Sequence, residues 1–141
     1  MRIIAFDLGA TMAYAYEKHC YHQTFTGERA ERLSAIGDWL DAIGWHRFSV
    51  VVYETPFARG RDATRSLWGI AGILEAVVTD AALPVVDVAV PTIKKFATGD
   101  GRASKVEMIA AARRMGYTGN NEHEADAVCL LRYAEANLEK A

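Results

Sequence analysis

Three carboxylates stand where folding alone does not call for them. Asp7 follows the run Ile3-Ile4-Ala5-Phe6 and precedes Leu8-Gly9. Glu54 follows Val50-Val51-Val52-Tyr53, and Asp126 comes just before Ala127-Val128-Cys129-Leu130-Leu131. An acid at the edge of an apolar core loses hydration unless something positive compensates it. Mg²⁺ or Mn²⁺ would do so, because hard cations prefer carboxylate oxygens. Two such ions about 4 Å apart activate a water and stabilise the leaving oxygen of a phosphodiester. A single acid after a strand is as often a turn former or a helix cap. The chemical reading therefore rests on the three acids together.

The surrounding pattern predicts the elements that must hold them. Arg2 to Phe6 is a β-branched and aromatic run, expected as a buried strand with a turn after it. Thr11 to Glu17 and Tyr21 to Thr26 read as two more strands, joined by a polar hairpin around Lys18-His19. Glu28 to Gly44 carries Leu33, Ile36, Leu40 and Ile43 at helical spacing. Phe48 to Tyr53 has the composition of a central strand. A helix is expected from Asp62, as N-cap, to about Ala82. A strand follows from Val85 to Val90, which Pro91 ends. Thr92 to Phe96 predicts a short helical turn, and Thr98-Gly99-Asp100-Gly101-Arg102 a loop. Ser104 precedes Glu107 with capping-box spacing, so a helix is expected from there to Met115, ended by Gly116. A last helix covers about Glu122 to Leu138. Three sequential strands followed by alternating helices and strands imply an α/β fold, a mixed central sheet with helices on its faces.

The bulk properties limit the choices. A chain of 141 residues with 51% hydrophobic and 24% charged residues is expected to form a single domain, 1–141, around one core. No apolar run approaches the roughly 20 residues of a membrane span, and no secretory signal is visible. Cys20 and Cys129 lack metal-ligand spacing and are expected as reduced thiols of a cytoplasmic protein. A net charge of −2 does not advertise a nucleic-acid surface. The distribution does: Arg59, Arg61, Arg65, Lys94, Lys95, Arg102, Lys105, Arg113 and Arg114 crowd the middle of the chain. Brought together, such cations make a phosphate-binding face. Arg113 and Arg114 also fit a solvated helix face.

With these motifs in hand, the chain resembles the RuvC family of Holliday junction resolvases, within the RNase H-like superfamily. The resemblance runs over nearly the whole chain. It is carried by Ile4-Ala5-Phe6-Asp7-Leu8-Gly9, by Tyr53-Glu54-Thr55-Pro56-Phe57, by Pro91 to Lys105 with its Lys94-Lys95 pair and glycine loop, and by His123-Glu124-Ala125-Asp126. It implies an RNase H-like mixed sheet flanked by helices and Mg²⁺-dependent cleavage of four-way DNA junctions, with Mn²⁺ as a substitute. It also implies a homodimer matched to a two-fold substrate, and metal ligation by Asp7, Glu54 and Asp126. Many relatives carry an aspartate where this chain has His123. Residues three apart share a helix face, so His123 and Asp126 can point into one site. His123 could ligate a metal or orient a phosphate. Glu122, four residues before Asp126, is the alternative fourth ligand, and Glu124 is expected to be exposed.

Several further roles follow. Phe57, placed by the resemblance as a base-stacking aromatic, either stacks on an unpaired base or folds back into the core. Arg59, Arg61, Lys94, Lys95, Arg102 and Lys105 are the candidate DNA contacts. Lys105 either stabilises charge developing at the scissile phosphate, contacts a phosphate, or faces water. The helix from Asp62 has apolar and small residues on more than one face, and Gly69 and Gly72 are expected to let a second subunit approach closely. Competing readings are a nuclease for other branched DNA or RNA–DNA hybrid, a non-catalytic junction-binding module, and a phosphate-loop kinase fragment built on Asp7-Leu8-Gly9. No second phosphate loop supports the last.

Overall fold

The computed structural model describes residues 1–57 and 60–138. Strand β1 (Ile3–Asp7) lies at the centre of a five-stranded sheet ordered β3-β2-β1-β4-β5. On one side of it β2 (Thr11–Tyr16) and β3 (His19–Thr24) form an antiparallel meander. On the other side β4 (Val50–Glu54) and β5 (Val85–Val88) run parallel to it. The mixed sheet expected from the element order is therefore present.

Strand periodicity sorts the side chains onto two faces. Ile4, Phe6, Met12, Val51 and Tyr53 point to the side covered by α1 (Arg29–Asp41) and α2 (Arg61–Asp80), where they meet Ile36, Leu40, Ile70, Leu74 and Val78. Ile3, Ala5, Ala13, Val50 and Val52 point to the opposite side. That side carries α3 (Val90–Thr98), α4 (Lys105–Arg114) and α5 (Glu122–Leu138). The alanines on β1 and β2 leave room for α5 to lie close to the sheet, with Ala125, Ala127, Leu130, Leu131 and Ala134 buried. Fully burying a large aliphatic chain contributes roughly 1.5–3 kcal/mol, so both layers hold the sheet firmly.

Several boundaries depart from expectation for local reasons. The hairpin is tighter than read, because Glu17 adopts φ +52 and β3 starts at His19. Strand β5 stops at Val88, since Pro91 starts a helix instead of merely ending a strand. Proline suits the first helical turn, whose N–H groups are unpaired anyway, and α3 runs nine residues from Val90. Gly99, at φ +88, closes α3 in a left-handed cap. Helix α2 is entered from Gly60 at φ +88, so Asp62 lies in its first turn rather than at its N-cap. Trp45–Arg47 form a 3₁₀ turn that the sequence did not signal. The capping box at Ser104 and Glu107 is formed as expected.

Candidate metal centre

Asp7 and Glu54 are the last residues of two neighbouring parallel strands. The register pairs Phe6 with Tyr53, which brings the two acids side by side at the carboxyl end of the sheet. Alternation sends both toward the α5 face, with Ala5 and Val52 two residues before them. Helix α5 crosses that face and lowers Asp126 onto them from above. Asp7 is buried, whereas Glu54 and Asp126 are partly covered.

Among the described residues, the cationic groups balance this crowding only in part. Burial, then the charge of Asp126, pushes the Asp7 carboxyl up to about 8. Burial, then Asp7, pushes Glu54 up to about 8. Burial, then Glu54, pushes Asp126 up to about 7, with His123 and Lys94 pulling the other way. Asp7 and Glu54 lie close enough to act directly on each other's carboxyl, and their burial together raises both. Among the described residues, no group of three or more His, Cys, Asp or Glu stands in a ready-made metal-holding arrangement. The fit to a hard divalent cation is one of donor chemistry and charge: convergent oxygen ligands whose mutual repulsion a cation would relieve.

His123 joins this cluster. Its Nδ1 is hydrogen-bonded to Asp7 Oδ2 at 2.9 Å, and its Nε2 lies 3.5 Å from Glu122 Oε1. Lys105 Nζ donates to the same Glu122 oxygen at 3.3 Å. Glu122 therefore stands at the rim, tied to Lys105 and His123, while His123 reaches the acids. Lys94 sits inside α3, and its charge acts on both Glu54 and Asp126. Sequence reasoning gave it only a phosphate contact. Its spacing to Ile93, which is buried, was the available sign that it would sit near the core edge.

The other candidates divide. Phe57 is 78% exposed and does not fold back into the core. With Thr55, Pro56, Val90, Pro91, Lys94 and Arg102 it lines a groove of about 630 Å³ beside Glu54. Arg61 opens α2 and is exposed, as are Lys95 on α3 and Lys105 on α4. Lys95 does not line the groove. Arg59 lies outside the described residues. Gly69 does not await a second subunit: a Cβ there would meet Leu33 of α1 at 3.4 Å, whereas Gly72 faces open space.

Glu124 corrects an expectation. It is not solvated but held in a pocket of donors. His22 Nδ1 lies 2.6 Å from Glu124 Oε2, and the Tyr117 hydroxyl donates to Oε1 at 3.0 Å. The Cys20 thiol approaches the same oxygen at 3.6 Å. His22 and Cys20 share one face of β3 by strand alternation, which was the sequence signal for their convergence.

The chain is 31% identical over 116 residues to the crossover junction endodeoxyribonuclease RuvC of Corynebacterium glutamicum, covering 81% of this chain and 51% of that protein. It is 35% identical over 104 residues to the RuvC of Anaeromyxobacter dehalogenans, covering 72% of this chain and 56% of that protein. The Thermus thermophilus RuvC structure superposes with a TM-score of 0.77 at 18% identity, over 99% of this chain and 97% of that one. This chain is RuvC-like in sequence and in fold.

The RuvC-like, RNase H-like architecture is seen again in T. thermophilus RuvC in complex with Holliday junction substrate, at TM-score 0.80 and 20% identity over 100% of this chain and 98% of that one. The yeast mitochondrial Holliday junction resolvase Ydc2 follows at TM-score 0.67 and 12% identity, over 99% of this chain and 80% of that one. The sequence matches span about half the length of the curated RuvC relatives. No family model matches the chain. No described helix is long and apolar enough to cross a membrane.

Proposed function

We propose that this chain is a divalent-metal-dependent endonuclease that resolves four-way DNA junctions, acting as a homodimer in the cytoplasm, with residues 1–141 as one nuclease domain. The observation that carries the reading is the convergence of Asp7, Glu54 and Asp126 from two parallel strands and one helix, with His123 hydrogen-bonded to Asp7. Acids crowded so closely, with only His123 and Lys94 to offset them, are costly to the fold. The RuvC-like sequence and fold favour branched DNA over other phosphodiesters.

Asp7, Glu54, Asp126 and His123 would hold Mg²⁺, or Mn²⁺ in its place. Bound there, the cations supply a more acidic water and offset the charge of the phosphate. The chain's own groups do the rest. Asp7 and Glu54, fixed by the sheet, set the position at which the phosphate must lie. Lys94 stands where its charge acts on Glu54 and Asp126, on the side from which a nucleic-acid phosphate would approach. Lys105, at the rim, is placed to contact that phosphate or its neighbour. Phe57, exposed over the groove, offers a ring to an unpaired base, with Lys94 and Arg102 on the groove walls for the backbone. Arg61 and Lys95, both exposed, would add phosphate contacts outside the groove. The open face of α2 around Trp68, 49% exposed, and Gly72 suits a second copy of the chain.

The deciding assay presents a synthetic four-way junction, flap, duplex and RNA–DNA hybrid in Mg²⁺. Junction cleavage that disappears in EDTA and in Asp7→Asn is the expected result. Cleavage in EDTA would overturn the mechanism, and junction binding without cleavage in any divalent metal would reduce the chain to a binding module.

A further inference from the structure

The first turn of α5 carries the helical half of the candidate site, His123 and Asp126, and something must fix its depth over the sheet. Asn121 caps the helix: its Oδ1 accepts from the backbone N–H groups of His123 and Glu124, both at 3.0 Å. The Asn121 backbone is itself held, its N–H donating to the Tyr117 hydroxyl at 2.8 Å. The Tyr117 hydroxyl in turn donates to Glu124 Oε1. Glu124 then reaches across to β3, where His22 donates to its other oxygen at 2.6 Å and Cys20 approaches from the same strand. A continuous chain of hydrogen bonds thus runs from the edge strand to the helix cap, and His123 lies next to its midpoint.

Two features make this more than incidental surface bonding. The Glu124 side chain is only 15% exposed, so its contacts with Tyr117 and Cys20 are shielded from competing water, while His22, 42% exposed, closes the outer end. Gly119 is also required by the arrangement. A Cβ there would stand 2.5 Å from the Tyr117 hydroxyl and 2.7 Å from the ring, so any side chain would push Tyr117 off its partners. The turn is therefore built to let Tyr117 reach Asn121 and Glu124.

We infer that His22, Tyr117 and Glu124 are positioning residues that lock the first turn of α5, so that His123 stays on Asp7 and Asp126 stays over Glu54. None of the three touches the reacting atoms. They act through the helix cap, as outer contacts act on the ligands of metal sites. The inference rests on the metal-site reading above for its catalytic consequence, but not for its geometry.

The test uses the full chain and two measurements. The first is calorimetric titration with Mn²⁺ alone. His22→Ala and Gly119→Ala should each weaken Mn²⁺ binding about 10-fold. His22→Asn, whose amide N–H overlies the Nδ1 position, should restore it. In junction cleavage the same variants should lower kcat with KM unchanged. The second is the ¹H–¹⁵N spectrum of the His123 imidazole in metal-free protein, in which His22→Ala should move the Nδ1 resonance and His22→Asn should return it. Folded His22→Ala with wild-type Mn²⁺ affinity and an unmoved His123 resonance overturns the inference. A wild-type chain that takes up no Mn²⁺ overturns the metal-site reading instead. The His123 spectrum then still decides whether the lock exists: a resonance unmoved in His22→Ala overturns it.

Discussion

Asp126 and Glu124 are neighbours on one helix and meet opposite surroundings. Glu124 is pushed up by burial, yet donors from His22, Tyr117 and Cys20 outweigh that and leave its carboxyl below the usual value. Asp126 is also pushed up by burial, but what it meets first is Glu54, another acid, and its carboxyl rises to about 7. One acid is satisfied by the fold and the other is not. Burial alone therefore does not mark a functional carboxylate. The mark is burial among acceptors, where a chain has placed charge it cannot balance by itself.

The contrast can be broken in several ways, the largest first. Asp7→Asn or Asp126→Asn should lower junction cleavage roughly 10⁴-fold, measured as single-turnover rates in Mg²⁺. Glu124→Gln should lower it only about 10-fold, the loss expected of a positioning residue. Equal losses at the two helix positions would erase the distinction.

Stability should reverse the order. In EDTA at pH 8, Glu54→Gln should raise Tm because it removes a charge the metal-free fold opposes. Glu124→Ala should lower it, leaving buried donors unpaired at a cost of about 1–3 kcal/mol. The pH dependence follows with a definite sign. The folded carboxyls of Asp7 and Glu54 titrate near 8 and that of Asp126 near 7. In the unfolded chain they titrate near ~4. Between those values the folded protein holds more protons than the unfolded one, so stability falls as pH rises from about 4 to about 8. Thermal unfolding in EDTA should show that fall, and saturating Mg²⁺ should flatten it. A metal-free protein equally stable at pH 5 and pH 8 would contradict the assignment.

Smaller effects are expected away from the acids. Phe57→Ala should weaken junction binding by about 1–3 kcal/mol without moving Tm, since its ring is exposed. Lys105→Ala should change stability by less than about 1 kcal/mol, because its pair with Glu122 is solvated. It should also reduce the salt dependence of DNA binding by about one phosphate contact.

The legible part of this molecule was the part governed by short-range pattern. Alternation and β-branching announced β1 and β4, and the acids at their ends were readable because each broke an apolar run. The capping box at Ser104 was equally local. What escaped was what depends on distant partners. Pro91 signals a break, yet only the packing of Ile93 shows that a helix begins there. Glu124 looked solvated because nothing near it in sequence reveals His22 on the edge strand. His123 was placed in the site by spacing and resemblance. Its bond to Asp7 spans the sheet and one helix, and no local rule contains it.

One consequence of the parallel pairing of β1 and β4 reaches beyond the present residues. Neighbouring strands keep a repeat of about 4.8 Å whatever their side chains. Asp7 and Glu54 therefore inherit their separation from the peptide hydrogen bonds between Ile3–Phe6 and Val50–Tyr53. The backbone acts as a gauge block for half of the site, and a one-residue slip would throw one carboxylate to the other face. Helix α5 is the adjustable jaw. Attempts to retune ion preference or substrate fit should reshape α5 and its turn, and leave the two strands alone.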